Sequence, residues 1–313
     1  MPFSLDREKL RQDYASQLAV LQALEQEGVY EITAALAKEG LKFHSIVSRV
    51  KSLVSITNKA EEKEFENPLS DLTDVVGIRV VALFLGDIER IVTVFHEIFD
   101  IQSIDDKIQD GDLSRFGYLS VHLLAKFKNS FSGTRYDQIK NMVFEIQIRT
   151  IAMDAWASAS HYLDYKSEED IPTDLKRDFH ALSGLFYVAD KHFEMFFRSR
   201  QAAVREVRKL SKNNDLLEQE INLDTLSEYL LKKYPNRREV EKSAISVLVT
   251  SIREMGLQTL RQLDTKLTER ASFLSQKEQG RTGGQFNRVG AVRISFAADP
   301  EFEPTRPRPD LPS

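Results

Sequence analysis

Apolar positions fall in three different rhythms along this chain, and the changes of rhythm mark its elements. Between residues 5 and 40, Leu10, Tyr14, Leu18, Leu21 and Leu24 recur at helical spacing. Gly28 and Gly40 are candidate helix stops, so two helices are expected to open the fold. Residues 41–51 read as a strand or strand-like turn, and 52–63 as a short helix that breaks at Asn67-Pro68. The run 77–85, Gly-Ile-Arg-Val-Val-Ala-Leu-Phe-Leu, is nearly all apolar and β-branched. A strand buried on both faces has this composition, so it is expected to be central in its sheet. A helical period follows over 87–99, then strands around 101–104, 118–127 and 143–148. Alternating strands and helices predict the α/β (α+β) class, a mixed β-sheet flanked by helices.

Beyond Thr150 the rhythm is helical to about residue 165 and again over 175–210. Residues 211–215, Ser-Lys-Asn-Asn-Asp, read as a linker. Further helical periods cover about 223–234, 239–255 and 257–274, separated by Pro235 and Gly256. The last segment holds Gly283-Gly284 and, after Asp299, five of the nine prolines. The expected organisation is therefore N-terminal helices over 1–40 packing on the core, a sheet domain over 41–210, a helical accessory domain over 216–275, and an extended or disordered tail over 276–313.

Length and composition narrow the class. At 313 residues two folded units and a tail are the natural expectation, and 42% hydrophobic with 29% charged residues is ordinary for a soluble globular chain. Neither a signal peptide nor a transmembrane run is evident. With no cysteine the chain has no disulfide, thiolate metal site or thiol nucleophile, which fits a cytoplasmic location. A net charge of −5 argues against wholesale coating of nucleic acid, although a local basic groove survives such an average.

Four features carry chemistry. Phe144-Glu145-Ile146-Gln147-Ile148-Arg149-Thr150 alternates strictly, which puts a carboxylate, an amide and a guanidinium on one face of a strand. Such a trio suits a nucleotide cleft, and equally the solvated face of an edge strand. Lys51, Ser55 and Lys59 are spaced one helical turn apart with Arg49 just ahead. They form either a triphosphate cradle or the basic face of a surface helix. Asp71 and Asp74 stand at the mouth of the apolar strand that contains Arg79. Asp74 is the better candidate for Mg²⁺ and Asp71 for closing the turn, while Arg79 needs either phosphate or an Asp/Glu partner. Finally, Phe116-Gly117-Tyr118-Leu119-Ser120-Val121-His122 opens a strand with Tyr118, Ser120 and His122 on one face. There the tyrosine can stack on a base or pack in a core.

Taken in order, Arg49-x-Lys51, Ser55 and Lys59, Asp74-x-x-Gly77-Ile78-Arg79, Gly117-Tyr118-x-Ser120-x-His122 and Glu145-Ile146-Gln147-Ile148-Arg149-Thr150 resemble the RelA/SpoT synthetase domain. Ile151-Ala152-Met153-Asp154-Ala155-Trp156-Ala157-Ser158, with His161 and Tyr165-Lys166, is similar to its small alarmone synthetases. The resemblance covers about 40–200. It implies a nucleotidyltransferase-like synthetase core and a pyrophosphokinase that moves the β,γ-diphosphate of ATP to the 3′-hydroxyl of GDP or GTP, making (p)ppGpp. By similarity Arg49, Lys51, Ser55, Lys59 and Arg79 hold ATP. Asp74 and Glu145 bind Mg²⁺, and Glu145 also activates the attacking hydroxyl. Tyr118 stacks on the acceptor base, with His122 and Gln147 nearby.

Where the family commonly has Lys-x-Asn-Gly-Tyr, this chain has Ser114-Arg115-Phe116-Gly117-Tyr118. Arg115 can stand in for the lysine, but Phe116 cannot replace the asparagine's hydrogen bonds. The change falls on the acceptor side, which keeps open an enzyme acting on the 3′-CCA end of tRNA, with Lys126, Lys128, Arg135 and Lys140 as phosphate contacts. A degenerate nucleotide sensor is the non-enzymatic alternative, disfavoured by the two carboxylates. Without a His-Asp dipeptide the chain is expected to synthesise and not to hydrolyse. Its C-terminal helices are expected to serve a homo-oligomer or a regulatory protein partner.

Overall fold

The computed structural model describes residues 3, 5–106, 108, 120–162, 171–212, 215–279 and 284–297. They belong to two compact units, Met1–Phe197 and Arg198–Ser313.

The first unit opens with one helix, not two: α1 spans Arg7–Lys38, with the Asp6 side chain accepting from the Lys9 N–H at its start. Gly40, in the left-handed region at φ 63°, follows its end. Gly28 does not stop this helix. It is a packing residue, since a Cβ there would come 2.6 Å from Ile78 Cδ1. Its missing side chain lets α1 press onto the sheet.

β1 (Phe43–Val50), α2 (Leu53–Lys63), α3 (Pro68–Asp71), β2 (Val76–Ala82), α4 (Leu85–Ile98), β3 (Phe99–Asp106), β4 (Val121–Phe127), β5 (Phe144–Thr150), α5 (Ile151–Tyr162) and α6 (Lys176–Lys212) follow. The strands make one mixed sheet in the order β1-β2-β5-β4-β3. β2 and β5 are parallel, and every other pair is antiparallel. β2 is therefore second from the edge, and the central strand is β5. The apolar run of β2 reflects cover by helices, since α1, α4 and α5 all touch it. A strand next to an edge can be as dry as a central one on the face that its helices roof, while Gly77 and Arg79 on the other face stay half-buried.

Ile78, Val80, Leu123, Ala125, Phe144, Ile146 and Ile148 are fully buried in the core with Leu24, Ile32, Ile91 and Phe95 of α1 and α4. Alternation sends the polar residues of the same strands to the opposite face.

The second unit contains α7 (Leu223–Lys233), α8 (Lys242–Glu254), α9 (Leu260–Glu269), α10 (Ala271–Gln279) and α11 (Arg288–Ser295). Leu226, Leu230, Leu248, Ile252, Leu260, Leu263, Val292 and Phe296 form its core. The expectation of an extended segment from 276 onward thus fails where α10 runs to Gln279 and where α11 covers Arg288–Ser295. Asn287 caps α11 by accepting from the Gly290 N–H at 2.7 Å, and Val289, Val292 and Phe296 face the core at helical spacing. The units divide inside α6 and not in the polar stretch 211–215: the helix runs on, and its Val207 packs on the second core. No helix among the described residues is long and apolar enough to cross a membrane.

Candidate active site

Strand register assembles the polar face. Val47, Arg79, Gln147 and His122 form one row across β1, β2, β5 and β4, and Arg49, Gly77, Glu145 and Leu124 form the next. A Cβ at Gly77 would meet nothing within 4 Å. The floor between Arg49 and Glu145 therefore stays low enough for a ligand to approach the backbone.

At the rim of this floor the cations meet a carboxylate. The Lys51 N–H bonds the Val75 carbonyl at 2.8 Å, which sets Lys51 beside the entrance to β2. Its Nζ donates to Asp74 Oδ2 at 2.6 Å, and Lys59 Nζ donates to the same oxygen at 2.9 Å. The common helical face expected for 51, 55 and 59 is not what joins them. α2 begins only at Leu53, with Ser52 as its cap, and Lys51 belongs to the β1 exit. Ser55 is in the first turn of α2, and its hydroxyl is 2.9 Å from that of Ser52. Arg49 is exposed, near enough for its charge to act on Lys51. Asp71 closes the preceding turn by accepting from the Asn67 N–H at 3.0 Å, as expected.

Burial drives the Asp74 carboxyl toward neutrality, but the hydrogen bonds from Lys51 and Lys59 outweigh it and hold the group below its ordinary value. Burial depresses Lys51 as well, and its bond to Asp74 offsets this only in part. Asp74 Oδ1 is buried with no hydrogen-bond partner among the described residues. An orphaned carboxylate oxygen is costly unless something cationic occupies the place it faces.

A chain of polar contacts runs across β4 and β5. The Ser120 hydroxyl is 2.7 Å from His122 Nε2, and His122 Nδ1 is 2.7 Å from Glu145 Oε1. Gln147 Nε2 donates to Glu145 Oε2 at 2.8 Å, and Arg149 Nη2 donates to Gln147 Oε1 at 3.2 Å. Burial pushes Glu145 up, yet the bonds from His122 and Gln147 prevail and leave it below the usual carboxylate range. The Asp74 charge acts against that ionisation, so the two carboxylates lie within electrostatic reach of each other.

Arg79 has the acidic partner its apolar strand called for, Asp154 in the first turn of α5, with Nη1 to Oδ1 at 3.1 Å. Arg149 Nη1 stands 3.7 Å from the same Asp154 oxygen. Arg149 belongs to the polar trio that the alternation of β5 predicts, whereas Asp154 carries only the signal of a carboxylate in the turn after β5, which by itself points to no site role. Tyr118 and Arg115 lie outside the described residues.

Residues 48–170 match the family model described as the region found in RelA / SpoT proteins. The chain is 33% identical over 150 residues to the GTP pyrophosphokinase YwaC of Bacillus subtilis, covering 46% of this chain and 69% of that protein. The crystal structure of small alarmone synthetase 2 from Bacillus subtilis superposes with a TM-score of 0.50 at 29% identity, over 60% of this chain and 99% of that one. Small alarmone synthetase 1 of the same organism, solved with its product pppGpp, gives 0.50 at 25% identity, over 61% and 99%. The matched region contains the sheet's polar face, the Asp74 and Glu145 carboxylates and α5, and by this likeness the chain belongs to the RelA/SpoT family.

Proposed function

We propose that this protein is an ATP:nucleotide 3′-pyrophosphokinase that transfers the β,γ-diphosphate of ATP to the 3′-hydroxyl of GDP or GTP and releases AMP. One observation carries the proposal. Two ionised carboxylates border an open floor, Asp74 held by Lys51 and Lys59 and Glu145 by His122 and Gln147, and the buried Asp74 Oδ1 has no hydrogen-bond partner among the described residues. The relative named GTP pyrophosphokinase and the synthetase solved with pppGpp support it.

Arg49, Lys51, Ser55, Lys59 and Arg79 hold the donor phosphates, the lysines exchanging part of their contact with Asp74 for phosphate oxygens. The residues fit Mg²⁺, which binds through one or two carboxylates and the substrate's phosphates, and Asp74 Oδ1 with Glu145 would hold it. When bound, the ion neutralises charge developing on the transferred group. Glu145, kept ionised by His122 and Gln147, orients the acceptor's 3′-hydroxyl and takes its proton. With its pKa depressed it is a weak base, and a loose phosphoryl-transfer transition state asks little of one. His122 and Gln147 are assigned to the acceptor nucleotide, and the family resemblance assigns Tyr118 and Arg115 to it as well.

The tRNA alternative loses ground, because three of its four basic residues are engaged. Lys128 donates to the Glu97 carbonyl, Arg135 forks onto Glu27, and Lys140 pairs with Asp137. The second unit is assigned to self-association or a regulatory protein partner. Incubation with γ-labelled ATP and, separately, GDP, GTP, ATP or deacylated tRNA tests the proposal. Label is expected on GDP or GTP, and label on tRNA, or on none of them, refutes it.

A further inference from the structure

Arg149 is 1% exposed, the largest fully buried side chain of the described residues, yet it sits on the polar face of β5. A guanidinium so enclosed is costly and persists where its donors have specific work. Its Nη2 reaches Gln147 Oε1 at 3.2 Å, its Nη1 faces Asp154 Oδ1 at 3.7 Å, and Asp154 also takes Arg79 Nη1 at 3.1 Å.

We propose that Arg149 is a positioning residue that fixes the amide of Gln147, and through it Glu145, while sharing Asp154 with Arg79. The proposal rests on the function given above. A side-chain amide has a donor end and an acceptor end that differ little in shape, so a neighbour must choose between its two orientations. A guanidinium only donates. It therefore attracts the Gln147 oxygen and turns the NH₂ toward Glu145 Oε2, 2.8 Å away. In the flipped amide two oxygens would face each other, and Glu145 would be pushed out of line with His122. On the other side, Asp154 answers both guanidiniums, so the donor-side Arg79 and the acceptor-side Glu145 are joined by one continuous set of polar contacts. Arg149 itself is too buried to touch either nucleotide.

The test compares the parent with Arg149→Met and Arg149→Lys, the first removing every donor and the second keeping a donor-only cation. Steady-state kinetics with ATP and GDP are expected to show kcat lowered about 10- to 100-fold in the Met variant, the size for one hydrogen bond to a charged group. Both KM values are expected to stay within about threefold, and the Lys variant is expected to recover most of kcat. A second readout needs no turnover. The Gln147 side-chain amide pair, identified in ¹H–¹⁵N spectra by its loss in Gln147→Leu, is expected to be slow to exchange in parent and Lys variant and fast in the Met variant. If the parent transfers no label, the function fails, while the amide spectra still decide the positioning role. A folded Met variant with parent kcat, or with the amide protected as in the parent, overturns the proposal. If the Met variant does not fold, the Lys variant decides: recovery of kcat with a protected amide supports the role, and a 10- to 100-fold loss despite a protected amide overturns it.

Discussion

Replacing Glu145 by Gln is expected to abolish transfer while leaving the fold intact, and the local geometry explains both halves. Glu145 receives His122 Nδ1 at 2.7 Å on one oxygen and Gln147 Nε2 at 2.8 Å on the other. A glutamine there keeps one acceptor for Gln147 and turns a donor toward His122. The imidazole can answer by moving its proton to Nε2, where the Ser120 hydroxyl stands 2.7 Å away to accept it. The network therefore re-closes with the same number of bonds. The charge-assisted bonds that are lost and the desolvation that is relieved oppose each other, so the net change in stability is put at about 1 kcal/mol. For a unit of the size of Met1–Phe197 that is roughly 2–4 °C in melting temperature.

Activity has no such compensation, because an amide neither binds Mg²⁺ as a carboxylate does nor takes a proton. A loss of about 10²–10⁴ in kcat is expected, or about 2.7–5.4 kcal/mol of transition-state stabilisation. Transfer of label from γ-labelled ATP to GDP, at saturating nucleotide and Mg²⁺, is read beside a thermal melt. Activity within about threefold of the parent would remove Glu145 from the mechanism. A drop of more than about 10 °C would show that the histidine does not adapt and that the carboxylate is chiefly structural.

Asp74→Asn is expected to be nearly inactive and insensitive to added Mg²⁺, whereas Asp71→Asn, which only loosens a turn, stays active; a Mg²⁺ titration of each variant checks the order. Tyr118→Ala is expected to raise the acceptor KM roughly 5- to 150-fold at fixed ATP, since stacking contributes about 1–3 kcal/mol per base. A chain ending at residue 212 is expected to keep transfer activity, because every assigned site residue precedes that point; a soluble but inactive truncation would place the second unit in the site. Asp190→Asn is expected to raise the melting temperature near neutral pH, because burial holds Asp190 above its ordinary value while Thr150 Oγ1 donates to it at 2.5 Å, a bond asparagine can accept. A raised carboxyl contributes stability only below its unfolded pKa and loses it as pH rises through the folded value. The gain should therefore shrink toward about pH 4, and melts across pH check this.

Strand periodicity made most of the sheet legible, because alternation is set by the pleat alone. Glu145, Gln147 and Arg149 share a face wherever β5 happens to lie. Rank within the sheet was not legible, since β2 owes its dryness to α1, α4 and α5, which a local window does not contain. Gly28 misled for the same reason: a glycine that ends a helix and one that admits Ile78 look alike until the partner is known. The spacing of Lys51, Ser55 and Lys59 predicts one helical face. Two of them do converge, but through the Lys51–Val75 backbone bond. The pairing of Arg79 with Asp154 spans 75 positions, so the need for a partner could be foreseen while its identity could not.

The two oxygens of Asp74 suggest how this site tolerates its own charges. Oδ2 takes both Lys51 and Lys59, while Oδ1 is left buried without a partner. A triphosphate arriving alone would draw the lysines from Oδ2 and leave Asp74 less compensated, with the Glu145 charge close by. A divalent cation arriving alone would meet two carboxylates, one of them already paired with lysines. Together the two exchanges balance, because the phosphates take the lysines and the carboxylates take the cation. Donor nucleotide and Mg²⁺ should therefore bind as a unit, each raising the other's affinity by the same factor, as linkage requires. Calorimetric titration of a non-hydrolysable ATP analogue at several Mg²⁺ concentrations measures that factor. In Asp74→Asn, which removes the charge that links the two exchanges, the factor should fall toward unity, and an undiminished coupling would place the metal elsewhere.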